Sequence, residues 1–129
     1  MILIIEDNED IREDLAELLT LDGFKVITAD GGAEAIQMAE IYVPDLVICD
    51  IMMPGMDGYE VMAAFRKNEK SRGIPFIFSS SKSEKKDEQK AKAFGVAYYL
   101  VKPFDEAEVL RCIHDCLQKQ SDNGPAAKV

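Results

Sequence analysis

Short apolar runs recur along the chain, each followed by a stretch of helical spacing, and that alternation predicts parallel strands wrapped by helices. The first run, Ile2 to Ile5, is continuously apolar, as a strand covered on both faces requires. Ile11, Leu15, Leu18 and Leu19 then fall on one helical face, with Asn8 as N-cap and Gly23 as stop. Phe24 to Thr28 reads as the second strand and Ala33 to Ile41 as the second helix, which closes before Pro44 because the residue ahead of a proline avoids helical torsions. The third strand, Leu46 to Cys49, ends at Asp50. After a loop with Pro54, Gly55 and Gly58, the positions Val61, Met62 and Phe65 mark the inner face of a third helix.

Phe76 to Phe78 forms the fourth predicted strand, ending in Ser79, Ser80 and Ser81. The helix expected from Glu84 to Phe94, stopped by Gly95, offers only Ala91, Ala93 and Phe94 as apolar contacts, so it is the least firmly held. Tyr98 to Val101 makes the fifth strand, and Val109, Ile113, Cys116 and Leu117 give the last helix its stripe. The polar stretch from Gln118 reads as a tail, so the expected division is a domain over 1–119 and a disordered tail, or the start of a linker, over 120–129. The predicted class is α/β: a single (βα)5 doubly wound domain.

Composition narrows the functional classes. A chain of 129 residues with 47% hydrophobic positions supports one core rather than two. No apolar run approaches the roughly 20 residues that a membrane-spanning helix needs, and no basic segment precedes the first apolar run, so the cytoplasm is the expected compartment. With 15 Lys+Arg against 24 Asp+Glu, the net charge of -9 argues against direct nucleic-acid binding. The Lys-rich run from Lys82 to Lys92 is interspersed with acids and reads as a solvated helix face. Cys49, Cys112 and Cys116 lack Cys-x-x-Cys spacing and are expected as reduced thiols, and His114, the single histidine, is expected at the surface.

In an open parallel sheet, ligands bind beyond the carboxyl ends of the strands. The chain places Glu6 and Asp7, Asp50, Ser80 and Lys102 there. Each residue alone reads as a cap, a turn former or a solvated group. Together the three acids would repel one another unless a cation neutralised them, and an oxygen-ligated Mg²⁺ completed by waters and phosphate oxygens is the economical solution. No P-loop, dinucleotide fingerprint, Gly-x-Ser-x-Gly elbow or His-Glu-x-x-His is present.

The segments Ile-Ile-Glu-Asp (4–7), Pro-Asp-Leu-Val-Ile-Cys-Asp (44–50), Met-Met-Pro-Gly-Met-Asp-Gly (52–58), Pro-Phe-Ile-Phe-Ser-Ser-Ser (75–81) and Lys-Pro-Phe (102–104) resemble, in this order and spacing, the receiver domain of bacterial two-component response regulators. The resemblance implies a flavodoxin-like sheet of order 2-1-3-4-5. It also implies that Asp50 is the nucleophile accepting a phosphoryl group from a histidine kinase or histidine phosphotransfer protein. Asp7, Asp50 and the backbone carbonyl of Met52 would ligate Mg²⁺, with Glu6 acting through water, and Lys102 and Ser80 would bind phosphoryl oxygens. Lys102-Pro103 matches a peptide held in cis in this family. Ser80 and Tyr99 would be the switch pair, acting on a face made by the fourth helix, fifth strand and fifth helix, with a phosphorylation-dependent homodimer as one further partner.

Two residues depart from the family pattern. Ser79 occupies a usually aliphatic position, and a hydroxyl facing the core there needs a partner. Ser81 stands where Ala or Gly is usual; with Met52 it is expected to narrow the path of a hydrolytic water and alter the aspartyl-phosphate lifetime. A Mg²⁺-dependent phosphohydrolase is disfavoured because Met52 stands where those enzymes carry a second Asp. A receiver-like module that takes no phosphoryl group is disfavoured because all five key positions hold competent residues. The expected activity is therefore self-phosphorylation and slow dephosphorylation, without turnover of a separate substrate.

Overall fold

The structure, a computed structural model, describes residues 1–122. Its elements alternate as the hydrophobic pattern requires: β1 (Ile2–Ile5), α1 (Glu9–Leu21), β2 (Val26–Ala29), α2 (Gly32–Ile41), β3 (Leu46–Asp50), α3 (Gly58–Lys67), β4 (Phe76–Ser80), α4 (Lys85–Phe94), β5 (Tyr98–Val101) and α5 (Glu106–Asp122). The strands form one parallel sheet of order β2-β1-β3-β4-β5, the α/β doubly wound arrangement expected. Because neighbouring side chains on a strand point to opposite faces, the central strands feed two cores. Leu3, Ile5, Val47, Cys49, Phe76 and Phe78 face α2, α3 and α4, whereas Ile2, Ile4, Leu46, Ile48, Ile77 and Leu100 face α1 and α5. Continuous apolar strands are thus the direct consequence of covering the sheet on both sides.

Helix ends follow local chemistry. Asn8 caps α1 by accepting the Ile11 N–H at 3.0 Å. At the other end, the Gly23 N–H reaches Thr20 O at 3.0 Å and the Phe24 N–H reaches Leu19 O at 3.1 Å, a paired motif that needs the positive φ of 97° at Gly23. Phe24 is consumed by that motif, so β2 begins at Val26 rather than at Phe24. Asp57 and Glu60 form a reciprocal capping box that opens α3, a Asp-x-x-Glu signal present in the sequence but absent from the expectations above. The strand β4 runs two residues further than expected, because Ser79 pairs with Asp50 and Leu100, and Ser80 pairs with Val101. The last helix continues to Asp122, past the boundary expected at 119, and residues 123–129 of the expected tail lie outside the described residues. No helix among the described residues is long and apolar enough to cross a membrane. All three cysteines are free thiols, and His114 is exposed, its ring tilted 48° against Phe24 at 5.4 Å and its Nε2 3.0 Å from Asp22 Oδ2.

Candidate functional site

Parallel strands end at one edge, and it is there that the chain's acids converge. Glu6 continues the alternation of Ile2 and Ile4, Asp50 that of Leu46 and Ile48, and Lys102 that of Leu100, so all three leave the sheet on its α1 and α5 side. Glu6, Asp7 and Asp50 bring one carboxylate oxygen each within 4.8 Å of one another. Glu6 and Asp50 are buried, at 3% and 5% exposure, while Asp7 stands at the surface. Such a trio is an arrangement of hard oxygen donors fitting a small divalent cation, because its mutual repulsion is relieved only by positive charge.

Lys102 supplies part of that charge. Its Nζ lies 2.6 Å from Glu6 Oε1 and 3.4 Å from Asp50 Oδ1, after which the chain turns through a cis Lys102-Pro103 bond. The other oxygen of Glu6 accepts the Asn8 N–H at 3.2 Å, so Glu6 is held from both sides. Asp50 is less satisfied: besides Lys102 it accepts the Met52 N–H at 3.4 Å. Burial and, next, the Glu6 charge push its carboxyl up to about 6, against the opposing pull of Lys102 and the Met52 N–H. The neighbouring Cys49 thiol is driven strongly upward by burial and by Asp50, so it stays protonated and inert.

Ser80 is fully buried at the end of β4, and its hydroxyl accepts the Lys82 N–H at 3.1 Å. Tyr99 donates its hydroxyl to the Lys82 carbonyl at 2.8 Å. Both expected switch residues therefore hold the same residue of the β4–α4 loop, Ser80 at its N–H and Tyr99 at its carbonyl. Met52 lines a hollow of about 530 Å³ with Tyr59, Lys82, Lys90 and Tyr99, whereas Ser81 lines another, of about 500 Å³, with Ile11, Leu15, Lys102 and Phe104. Ser79 is buried at 3% exposure, paired through its backbone with Asp50 and Leu100. Among the described residues no buried side-chain nitrogen or oxygen is left without a partner.

A doubly wound parallel sheet with an acidic cluster and a lysine at its carboxyl edge defines an α/β domain whose ligand site lies beyond the strand ends. The chain belongs to the response regulator receiver domain family, whose pattern it matches over residues 2–114. It is 32% identical to the protein PilH of Pseudomonas aeruginosa over 90% of this chain and 96% of that protein. It is also 32% identical to the alkaline phosphatase synthesis transcriptional regulatory protein PhoP of Bacillus subtilis, over 99% of this chain and 52% of that one. Among solved structures, the chemotaxis protein CheY4 of Vibrio cholerae superposes with a TM-score of 0.84 at 30% identity, over 90% of this chain and 97% of that one. The chain spans about half the length of several curated relatives it matches, at 61%, 53% and 45% of three of them.

Proposed function

We propose that this receiver domain is a phosphoacceptor switch, with Asp50 as the nucleophile. The observation that carries this reading is a buried carboxylate, Asp50, facing the Lys102 ammonium at 3.4 Å with Glu6 and Asp7 beside it. In the transfer, an Asp50 oxygen forms a bond to phosphorus as the P–N bond of a donor phosphohistidine breaks, and the departing imidazole takes up a proton. Lys102 and Ser80 hold the phosphoryl oxygens, which requires Lys102 to move from its shorter contact with Glu6 toward the arriving charge. Asp7, Asp50 and the Met52 backbone carbonyl would hold Mg²⁺, with Glu6 acting through water. The cation would supply neutralisation of charge on the phosphoryl oxygens. The upstream partner is a histidine kinase or histidine phosphotransfer protein.

The output follows from the loop that Ser80 and Tyr99 share. When the Ser80 hydroxyl turns to a phosphoryl oxygen it releases the Lys82 N–H, and the Tyr99 contact with Lys82 O couples that change to the face made by α4, β5 and α5. An output partner, or a second copy of the chain, reads that face. The domain acts in the cytoplasm in this reading, and it catalyses its own phosphorylation and dephosphorylation rather than the turnover of a separate substrate. Intact mass after incubation with acetyl phosphate tests the core of the proposal. One phosphoryl adduct is expected with Mg²⁺, none with EDTA and none in Asp50→Asn; an adduct persisting in Asp50→Asn would show that the nucleophile is another residue.

A further inference from the structure

The corner between β1 and α1 carries two of the three carboxylates, and its backbone is tightly tied. The Glu6 N–H donates to Ala29 O at 3.1 Å, and the Arg12 N–H to Asn8 O at 2.9 Å. Across the corner, Arg12 reaches back from the first turns of α1 and donates from Nη1 to the Glu6 backbone carbonyl at 2.9 Å in a partly buried position. Arg12 is flanked in sequence by Glu9, Asp10, Glu13 and Asp14, yet among the described residues no carboxylate lies within 4.0 Å of its guanidinium. A guanidinium ordinarily seeks a carboxylate fork. Here it serves a neutral carbonyl.

That carbonyl belongs to the peptide linking Glu6 to Asp7. Because a peptide unit is planar, gripping its oxygen fixes the plane from which the Asp7 Cα departs. Asp7 has no side-chain hydrogen bond among the described residues and is exposed, so nothing but its backbone aims it at Glu6 and Asp50. We infer that Arg12 is a positioning residue of the cation site: by holding the Glu6 carbonyl it fixes the Glu6–Asp7 peptide plane, keeps the Asp7 carboxylate within reach of its two partners, and so sets the affinity for a divalent cation. The inference rests on the reading of those three carboxylates as the cation site.

Positioning and simple electrostatics predict opposite signs. A positive charge near the cluster would repel Mg²⁺, so its loss would tighten binding, whereas loss of an orienting contact weakens it. Calorimetric titration of MgCl₂ into the whole chain separates the two, using the wild type, Arg12→Ala, Arg12→Lys and, as a control on the neighbouring exposed position, Glu13→Ala. Arg12→Ala is expected to raise the dissociation constant about tenfold, in the range seen when groups orienting metal ligands are removed. Arg12→Lys, which keeps a donor, and Glu13→Ala should stay close to wild type. Alanine is a strong helix former, so α1 is expected to survive, and melting in EDTA checks it. With acetyl phosphate, Arg12→Ala should raise the half-saturating Mg²⁺ concentration and leave the maximal phosphorylation rate unchanged. Tighter or unchanged binding in Arg12→Ala, a loss shared by Arg12→Lys, or a lowered maximal rate would overturn the positioning role alone. A wild type that binds no Mg²⁺ would overturn the cation site itself, and this role with it.

Discussion

Asp50 is held in a state it resists. Its folded pKa, pushed up to about 6 by burial and the Glu6 charge, exceeds the unfolded value of 3.8, so the ionised carboxylate weighs against folding. The penalty is fully present above about pH 6, shrinks as pH falls, and vanishes below the unfolded value. Asp50→Asn is therefore expected to stabilise the metal-free protein at pH 7.5, by on the order of 2 kcal/mol, and to lose that advantage by pH 4. Urea unfolding of the two proteins in EDTA at both pH values measures it, and the difference between them isolates Asp50 from the other carboxylates. Ser79 gives the opposite lesson. The sequence called for a partner for its core-facing hydroxyl, and among the described residues no buried side-chain oxygen is left without one, with Ser79 set beside Asp50 and Leu100. Ser79→Val, which adds bulk where the side chain is only 3% exposed, should destabilise the domain by about 1–3 kcal/mol in the same assay.

At the scale of elements, α4 is where apolar anchorage is thinnest. Ala91 is its only buried residue, and Phe94 rests edge-on against Tyr59 at 5.0 Å, beneath the Arg66 guanidinium. Such a helix should open locally long before the sheet does. Phe94→Ala is expected to cost α4 about 2 kcal/mol of protection in amide hydrogen exchange while β1 and β3 keep theirs. Equal loss across the sheet would mean that α4 unfolds only with the whole domain. This weakness was readable in advance, because a helix with few apolar positions cannot bury much whatever it packs against. Element ends were less readable. A hydrophobic run does not reveal that Phe24 closes the α1 stop, nor that Ser79 and Ser80 belong to a strand whose pairing is entirely backbone. The residues at the strand ends, by contrast, stood out as a set because α/β topology sends every such end to the same edge.

For the whole molecule, sequence gathers the strand-end residues at one edge but does not say which of them touch. Lys102 and Glu6 lie 96 positions apart and meet at 2.6 Å only because β1 and β5 end on the same rim of the sheet. That ammonium offsets two buried carboxylates in the absence of metal, so Lys102→Met should destabilise the metal-free domain by about 2–3 kcal/mol, less than a fully buried pair would lose because Lys102 is partly solvated. Mg²⁺ at the rim would offset the same carboxylates from outside. A cation that binds only the folded chain raises its stability by about 1.4 kcal/mol at ten times its dissociation constant, or about 5 °C in Tm for a domain of this size. At matched saturation the shift should appear in wild type and in Lys102→Met and be absent in Asp50→Asn. At a fixed concentration it should be larger in Lys102→Met than in wild type, because removing the competing ammonium strengthens the pull of Glu6 and Asp50 on the metal. Thermal melts across a MgCl₂ series read both effects. A smaller shift in Lys102→Met would mean that the lysine assembles the acidic rim rather than competing with the cation for it.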